Sequence, residues 1–232
     1  MKLAQNALFN KQNLLKIQKK IKKHSPNKEP VEIIAVTKTK TIDAVRAAIE
    51  NNLTVVGENK VQEAEKKFEK EEDVRKKIEL HLIGHLQTNK ANKAVKIFDV
   101  IQTVDSQKIL KKINTAAKKQ NKNQRVFFQV NIGGDTKKKG FEVSSLLEAC
   151  KTIGEYKNVI VEGLMSILPA GKTKKQNKDF FMKTISLQKK IQEQKIETCL
   201  KTSLGMSGDY FEAIQSGATH IRIGSALFGT RK

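Results

Sequence analysis

Tryptophan is absent from this chain, and 232 residues hold only two cysteines, two tyrosines and three prolines. Cys150 and Cys199 have no partners at metal-ligand or redox spacing, so neither a disulfide framework nor a thiol metal site is expected, and a reducing cytoplasm is. No apolar run approaches the roughly 20 residues that cross a bilayer, and Met1 to Asn10 lack the apolar core and small-residue cleavage site of a secretory leader. Membrane insertion is not expected. Acidic side chains are in deficit, 24 against 45 basic ones, for a formal charge of +21. Arginine is scarce as well: five of the basic residues are Arg46, Arg75, Arg125, Arg222 and Arg231, which leaves 40 lysines. So large a charge often marks a nucleic-acid partner. Here the bidentate phosphate readers are few, aromatic content is 5%, and the lysines are spread along helix-like segments, so no specific nucleic acid is expected.

What the chain does have is a repeating strand and helix pattern. Ile33 to Val36 is an unalternating aliphatic run, the mark of a strand covered on both faces. Similar strands are expected at 54–59, 80–86, 100–104, 126–132, 159–165, 198–203 and 219–223. Helical spacings fall between them: Ile42, Val45 and Ile49 behind a Thr41 cap; Val61, Ala64 and Phe68; a lysine-rich helix from Thr88 to Val95; Ile109, Leu110 and Ile113 after Asp105 or Ser106; Ser144 to Ile153; Phe181, Ile185 and Ile191; and Tyr210 to Gln215 before Gly217. An amphipathic helix over Gln5 to Lys23, with Leu14, Ile17 and Ile21, precedes them all. Eight cycles predict an α/β fold, a (β/α)8 TIM barrel with an extra N-terminal helix, and the length suits one domain over residues 1–232.

In such a barrel the chemistry lies at the C-terminal ends of the strands. Strand one ends on Thr37-Lys38-Thr39-Lys40. An ammonium group beside apolar walls loses its proton more readily and can attack an aldehyde, although a solvated strand-end lysine is the commoner case. After strands seven and eight come Gly205-Met206-Ser207-Gly208 and Gly224-Ser225, small residues whose amides and hydroxyls can cradle a phosphate. An amine and a phosphate cradle at one barrel mouth are the two anchors of pyridoxal 5'-phosphate (PLP). Arg222, at the mouth of strand eight, is either an ordinary ion-pair partner or the residue facing the pyridine nitrogen, where a fixed cation would leave the ring a poor electron sink. His81 and His85 are placed on strand three in a lining or structural role, since no second pair of metal ligands is visible.

The segments AVTKTK, GENKVQEAEKK, HLIGHLQTNK, QVNIGGD, EGLMSI, SLGMSGDYFEAI and HIRIGSALFG occur in an order that resembles the pyridoxal phosphate homeostasis proteins. That family is in turn similar to the N-terminal barrel of alanine racemase. The resemblance implies that Lys38 carries PLP as a Schiff base. Strand parity alone puts Lys38 and Lys40 on the same side, and depth favours Lys38. It further implies that Ser203, Ser207, Gly224 and Ser225 surround the phosphate, that Arg222 faces the pyridine nitrogen and that Asn59 and Met206 line the pocket. Departures from the family pattern are Leu204, Lys60, Asp135 and Ser225, and none removes an anchor. A racemase needs a second acid or base, supplied in alanine racemase by a tyrosine from another domain. Tyr156 and Tyr210 are poorly placed for that task. The expectation is therefore a monomeric PLP-binding protein of vitamin B6 homeostasis, not an enzyme, with PLP-dependent apo-enzymes as possible partners and a weak amino-acid racemase as the alternative.

Overall fold

The computed structural model describes residues 8–26, 30–135, 138–169, 171–194 and 196–230. Eight parallel strands hydrogen-bond in sequence order and close on themselves, β1 to β8. The first half runs α1 (Lys11–His24), β1 (Glu32–Val36), α2 (Ile42–Glu50), β2 (Val55–Glu58), α3 (Val61–Phe68), α4 (Glu72–Arg75), β3 (Glu79–Leu82), α5 (Ala91–Ile97) and β4 (Val100–Val104). The second half runs α6 (Gln107–Lys119), β5 (Gln124–Gln129), α7 (Val143–Lys151), β6 (Val159–Met165), α8 (Lys174–Gln194), β7 (Lys201–Ser203), α9 (Tyr210–Ser216), β8 (His220–Ile223) and α10 (Ser225–Phe228). This is the expected (β/α)8 barrel with its additional N-terminal helix. Among the described residues no helix is long and apolar enough to cross a membrane, and no group of side chains could hold a metal ion.

Strand alternation divides the core. Ile33, Ala35, Ile221 and Ile223 face the helices, while Ile34, Val36, Val55 and Ile83 meet inside the barrel. Val100, Phe127 and Met165 form a second interior cluster. Cys150 and Cys199 are buried free thiols; burial pushes them up to about 11 and about 12, where they are unreactive.

Several boundaries differ from the sequence-based expectation. Of the helix expected from Gln5, residues 5–7 lie outside the described residues, and α1 starts only at Lys11, where the Asn10 side chain accepts from the Asn13 amide. Its Leu14 and Ile17 pack beside α9 and α10, and Asn10 N and Asn13 Nδ2 donate to Leu227 O and Ala226 O. Thr41 precedes α2 without a side-chain cap; its hydroxyl donates to Asp43 instead. β3 stops at Leu82, so His85 lies in the following loop. β5 stops at Gln129, and Val130 forms an isolated bridge to Phe141. β7 shrinks to three residues.

The N-terminal mouth is plugged by charge. Arg125 bonds Glu79 at 2.7 Å and Glu162 at 3.4 Å, and Lys201 reaches Glu162 at 3.1 Å. Above this ring His220 is pushed down to about 3 by burial, helped by His81, Lys201 and Arg222 and opposed by Glu79. The unfolded chain therefore takes up a proton at His220 that the folded protein refuses. Stability from this group is complete above about pH 6.5 and is lost as pH falls from there towards 3. Glu79, held down to about 2 chiefly by its bond from His81, adds a second loss between about pH 4.5 and 2. Thermal unfolding followed against pH should show stability falling from pH 6.5, by up to a few kcal/mol at pH 4, and His220→Asn should flatten that slope.

Candidate functional site

The C-terminal ends of the strands surround a cavity of about 650 Å³, within the range of small-ligand and cofactor sites. Seven of the eight residues expected at the site line it: Lys38, Asn59, Met206, Ser207, Arg222, Gly224 and Ser225. Ser203 does not. It is fully buried, donates to Gln102 Oε1 at 2.7 Å and accepts from Arg222 Nη1 at 2.8 Å, so it supports Arg222 from beneath the cavity. Residues the sequence reading had not assigned to the cavity complete the wall, among them Ile83, Thr103, Gln129, Lys138, Ile167 and Phe228. Inward parity at the ends of β5 and β6 is the signal that could have found Gln129 and Ile167, whereas the irregular register of β4 hides Thr103 from it.

Lys38 follows β1 by two residues. The chain leaves the strand in a turn closed by the Lys40 amide on the Thr37 carbonyl at 3.0 Å, with Thr39 at φ 63°. Simple alternation therefore ends at Val36, and the pairing of Lys38 with Lys40 by parity does not hold, although both reach the cavity. The segment GENKVQEAEKK explains how the turn is held. Thr37 Oγ1 donates to Glu58 Oε1 at 2.6 Å, and Lys67 Nζ bonds the same oxygen at 2.6 Å and the Thr37 carbonyl at 2.8 Å. The Thr39 amide donates to Glu63. Glu58 is fully buried, and burial pushes its carboxyl above the usual range against the pull of Lys67 and Thr37. Its second oxygen has no partner among the described residues. Lys67→Met would leave that carboxylate unpaired and should cost about 3 kcal/mol in denaturant unfolding. Adding Glu58→Gln should recover most of the loss.

Arg222 is 3% exposed and gives three bonds: to Ser203 O at 2.6 Å, Ser203 Oγ at 2.8 Å and Ser166 O at 2.8 Å. Burial lowers it to about 10, so it remains a cation at neutral pH. On the neighbouring side the β7 loop turns back at Gly205, whose φ is 76° and where a Cβ would lie 2.7 Å from Ala213 Cβ. Only glycine fits there. The Met206 amide is taken by Asp209 Oδ1 at 2.6 Å. Burial pushes the Asp209 carboxyl up, opposed by that amide and by Arg222. Ser207 Oγ ties the two loops by accepting from Gly224 N at 3.3 Å and Ala226 N at 3.4 Å. The amides of Ser207, Gly208 and Ser225 have no protein acceptor among the described residues, which leaves donors and a hydroxyl at the cavity wall.

His85 lines the cavity from the β3 loop and its Nδ1 lies 3.2 Å from Asp105. His81 faces the barrel interior instead, bonded to Glu79 and Gln102. Tyr210 lies outside the cavity. It borders a separate groove against α1, where its hydroxyl accepts from Lys20 Nζ at 3.0 Å. Tyr156 packs half-buried against the helix-side core.

Comparison with known proteins identifies the family. The family model described as alanine racemase, N-terminal domain, matches residues 10–232. The chain is 36% identical over 208 residues to the pyridoxal phosphate homeostasis protein of Vibrio alginolyticus, covering 88% of each. It is 37% identical over 201 residues to that of Synechocystis, covering 87% of this chain and 92% of the other. Among solved structures, PipY of Synechococcus elongatus with PLP bound matches with a TM-score of 0.83 at 30% identity, over 94% of this chain and 99% of that one. An alanine racemase from Bartonella henselae, at 18% identity and a TM-score of 0.71, shares the fold over 57% of its length. The chain belongs to the alanine racemase N-terminal domain family and, within it, to the pyridoxal phosphate homeostasis proteins.

Proposed function

We propose that this chain binds PLP in the cavity and serves vitamin B6 homeostasis as a holder of the cofactor. The observation that carries this reading is the meeting of Lys38, Arg222, Ser207 and Ser225 in one cavity of cofactor size. Bound there, PLP supplies an aldehyde, which is the chemistry that calls for an amine. Lys38 provides the amine for covalent attachment, Ser207, Gly208, Gly224 and Ser225 form the phosphate end, and Asn59 and Met206 flank the ring. Arg222 holds a fixed cation beside the ring nitrogen. A permanently charged donor keeps a proton off that nitrogen, which weakens the ring as an electron sink and favours holding over turnover. Ser203 acts through Arg222.

Neither tyrosine lines the cavity, which supports a non-catalytic role. One observation favours a second reading, a weak amino-acid racemase: His85, held 3.2 Å from Asp105, puts an imidazole of the acid and base class at the cavity wall. That reading predicts loss of α-deuterium from an amino acid, abolished by Lys38→Ala. Absence of exchange with every common amino acid would sink it.

The wider setting follows from the same reading: residues 1–232 act as one PLP-binding unit, a cytoplasmic monomer with no specific nucleic-acid ligand, passing cofactor to PLP-dependent apo-enzymes. The test of the central claim is borohydride reduction of the PLP-loaded protein with peptide mass mapping. One pyridoxyl adduct on Lys38 is expected. Adducts scattered among surface lysines would overturn it.

A further inference from the structure

Arg222 is a buried cation with no hydrogen-bonded carboxylate among the described residues. Its bond to Ser203 begins a chain that leaves the cavity and crosses the barrel. Arg222 Nη1 donates to Ser203 Oγ at 2.8 Å, and the Ser203 hydroxyl donates to Gln102 Oε1 at 2.7 Å. Gln102 Nε2 donates to His81 Nδ1 at 2.7 Å, and His81 Nε2 donates to Glu79 Oε1 at 2.6 Å. Ser203, Gln102 and His81 are each at most 1% exposed. Gln102 is inward by alternation from Val100, and the register between β4 and β5 shifts between Ile101 and Val104, an irregularity that lets its neighbour Thr103 line the cavity as well.

Every donor along this chain points the same way, from the cation at one mouth to the carboxylate at the other. Bonds in such an array polarise one another, and reversing one requires reversing its neighbours. The direction also fixes the histidine: Nδ1 must accept, so the proton sits on Nε2. The other ionisable groups around His81 are His220 on β8, with ring centroids 6.5 Å apart, Glu32 on β1, and Arg125 and Lys201 of the ring below. None of them displaces the bond to Gln102.

We propose that His81 is a positioning residue for Arg222: through Gln102 and Ser203, its Nε2-protonated form fixes the guanidinium in the cavity and links it to Glu79 at the opposite mouth. This explains a continuous polar path that links the charged ring of Arg125, Glu162 and Lys201 at one mouth to Arg222 at the other. The thread belongs to the free protein, and only its effect on the cofactor rests on the reading above.

Nitrogen-15 NMR of the full-length protein without cofactor tests it. The His81 signals should show a bare Nδ1 and a protonated Nε2. In His81→Phe and in Gln102→Leu the Arg222 guanidinium protons should exchange much faster with water, and the Kd for PLP should rise about tenfold, the worth of one buried hydrogen bond. His81→Gln, whose amide offers both an acceptor and a donor, should restore slow exchange and affinity. A proton on Nδ1 in the native protein, or unchanged Arg222 signals in the folded variants, would overturn the proposal. Gln102→Leu, on a different strand, decides the matter if His81→Phe does not fold. A native protein that takes no adduct on Lys38 defeats the cofactor reading, yet leaves the His81 and Arg222 spectra to decide the relay.

Discussion

Lys38→Ala is expected to abolish borohydride-fixed PLP in the cavity, with a loss on the order of 100-fold or more, because an oriented amine is worth far more than a free one. Lys40, Lys138 and Lys139 also line the cavity, so amine chemistry alone does not single out Lys38. What does is its support. Lys38 sits between Thr37 and Thr39, and both neighbours are clamped to the β2 and α3 segment by Glu58, Lys67 and Glu63. Affinity for PLP should fall without vanishing, since Arg222 and the Ser207 and Ser225 loops remain. Reduction followed by peptide mapping, with a parallel equilibrium titration, reads both quantities. An adduct of undiminished yield on Lys40 or Lys138 would refute the assignment.

Gly84→Ala should destabilise the fold by more than about 4 kcal/mol, at the exceptional end for a single substitution. A Cβ at residue 84 would lie 2.1 Å from the Asn59 carbonyl oxygen and 2.8 Å from its Cα and carbonyl carbon. These are backbone atoms, so no rotamer change relieves the contact. Asn59 lines the cavity, and any variant that does fold must displace it and bind PLP more weakly. For a domain of this size the thermal midpoint should drop by roughly 10 °C or more. Gly154→Ala is the control: a Cβ there meets nothing within 4 Å, and its midpoint should move little.

Much of this architecture could be read from residue patterns. Aliphatic runs located most of the strands, because a strand covered on both faces leaves little room for a polar residue in its outer half; β7, Lys201–Ser203, carries no such run and was the least legible. Strand ends were harder, since tertiary contacts set them. β3 ends at Leu82 because Gly84 must pass beside the Asn59 backbone, a contact between segments 25 residues apart. Lys38 and Lys40 looked alike by alternation because the turn at Thr39, held by Glu63, leaves no trace in local spacing. Ser203 was placed at the phosphate by resemblance, whereas its hydroxyl is taken up by Gln102 and Arg222. The thread through the barrel was legible in principle. Counting back by two along each strand from inward Arg222, Ser203 and Ile83 brings His220, Lys201 and His81 to the same interior. Gln102 follows by the same count from inward Val100; what alternation cannot supply is the irregular register of β4 that turns Thr103 inward as well.

Closure of the sheet bears on how the protein behaves when crowded. β1 pairs with β8 over four residues from Glu32 to Ala35, so the described strands leave no open edge for a neighbouring chain to extend. Outside that ring sits a coat of lysine with a formal charge of +21, which repels other copies at low salt. On the proposed reading the protein holds a reactive aldehyde, a task that calls for accumulation without precipitation. The sealed sheet removes the template for fibre growth, and the cationic coat keeps molecules apart. Rising ionic strength should erode only the second of these safeguards, so salt should promote reversible clustering of native molecules before it promotes amyloid.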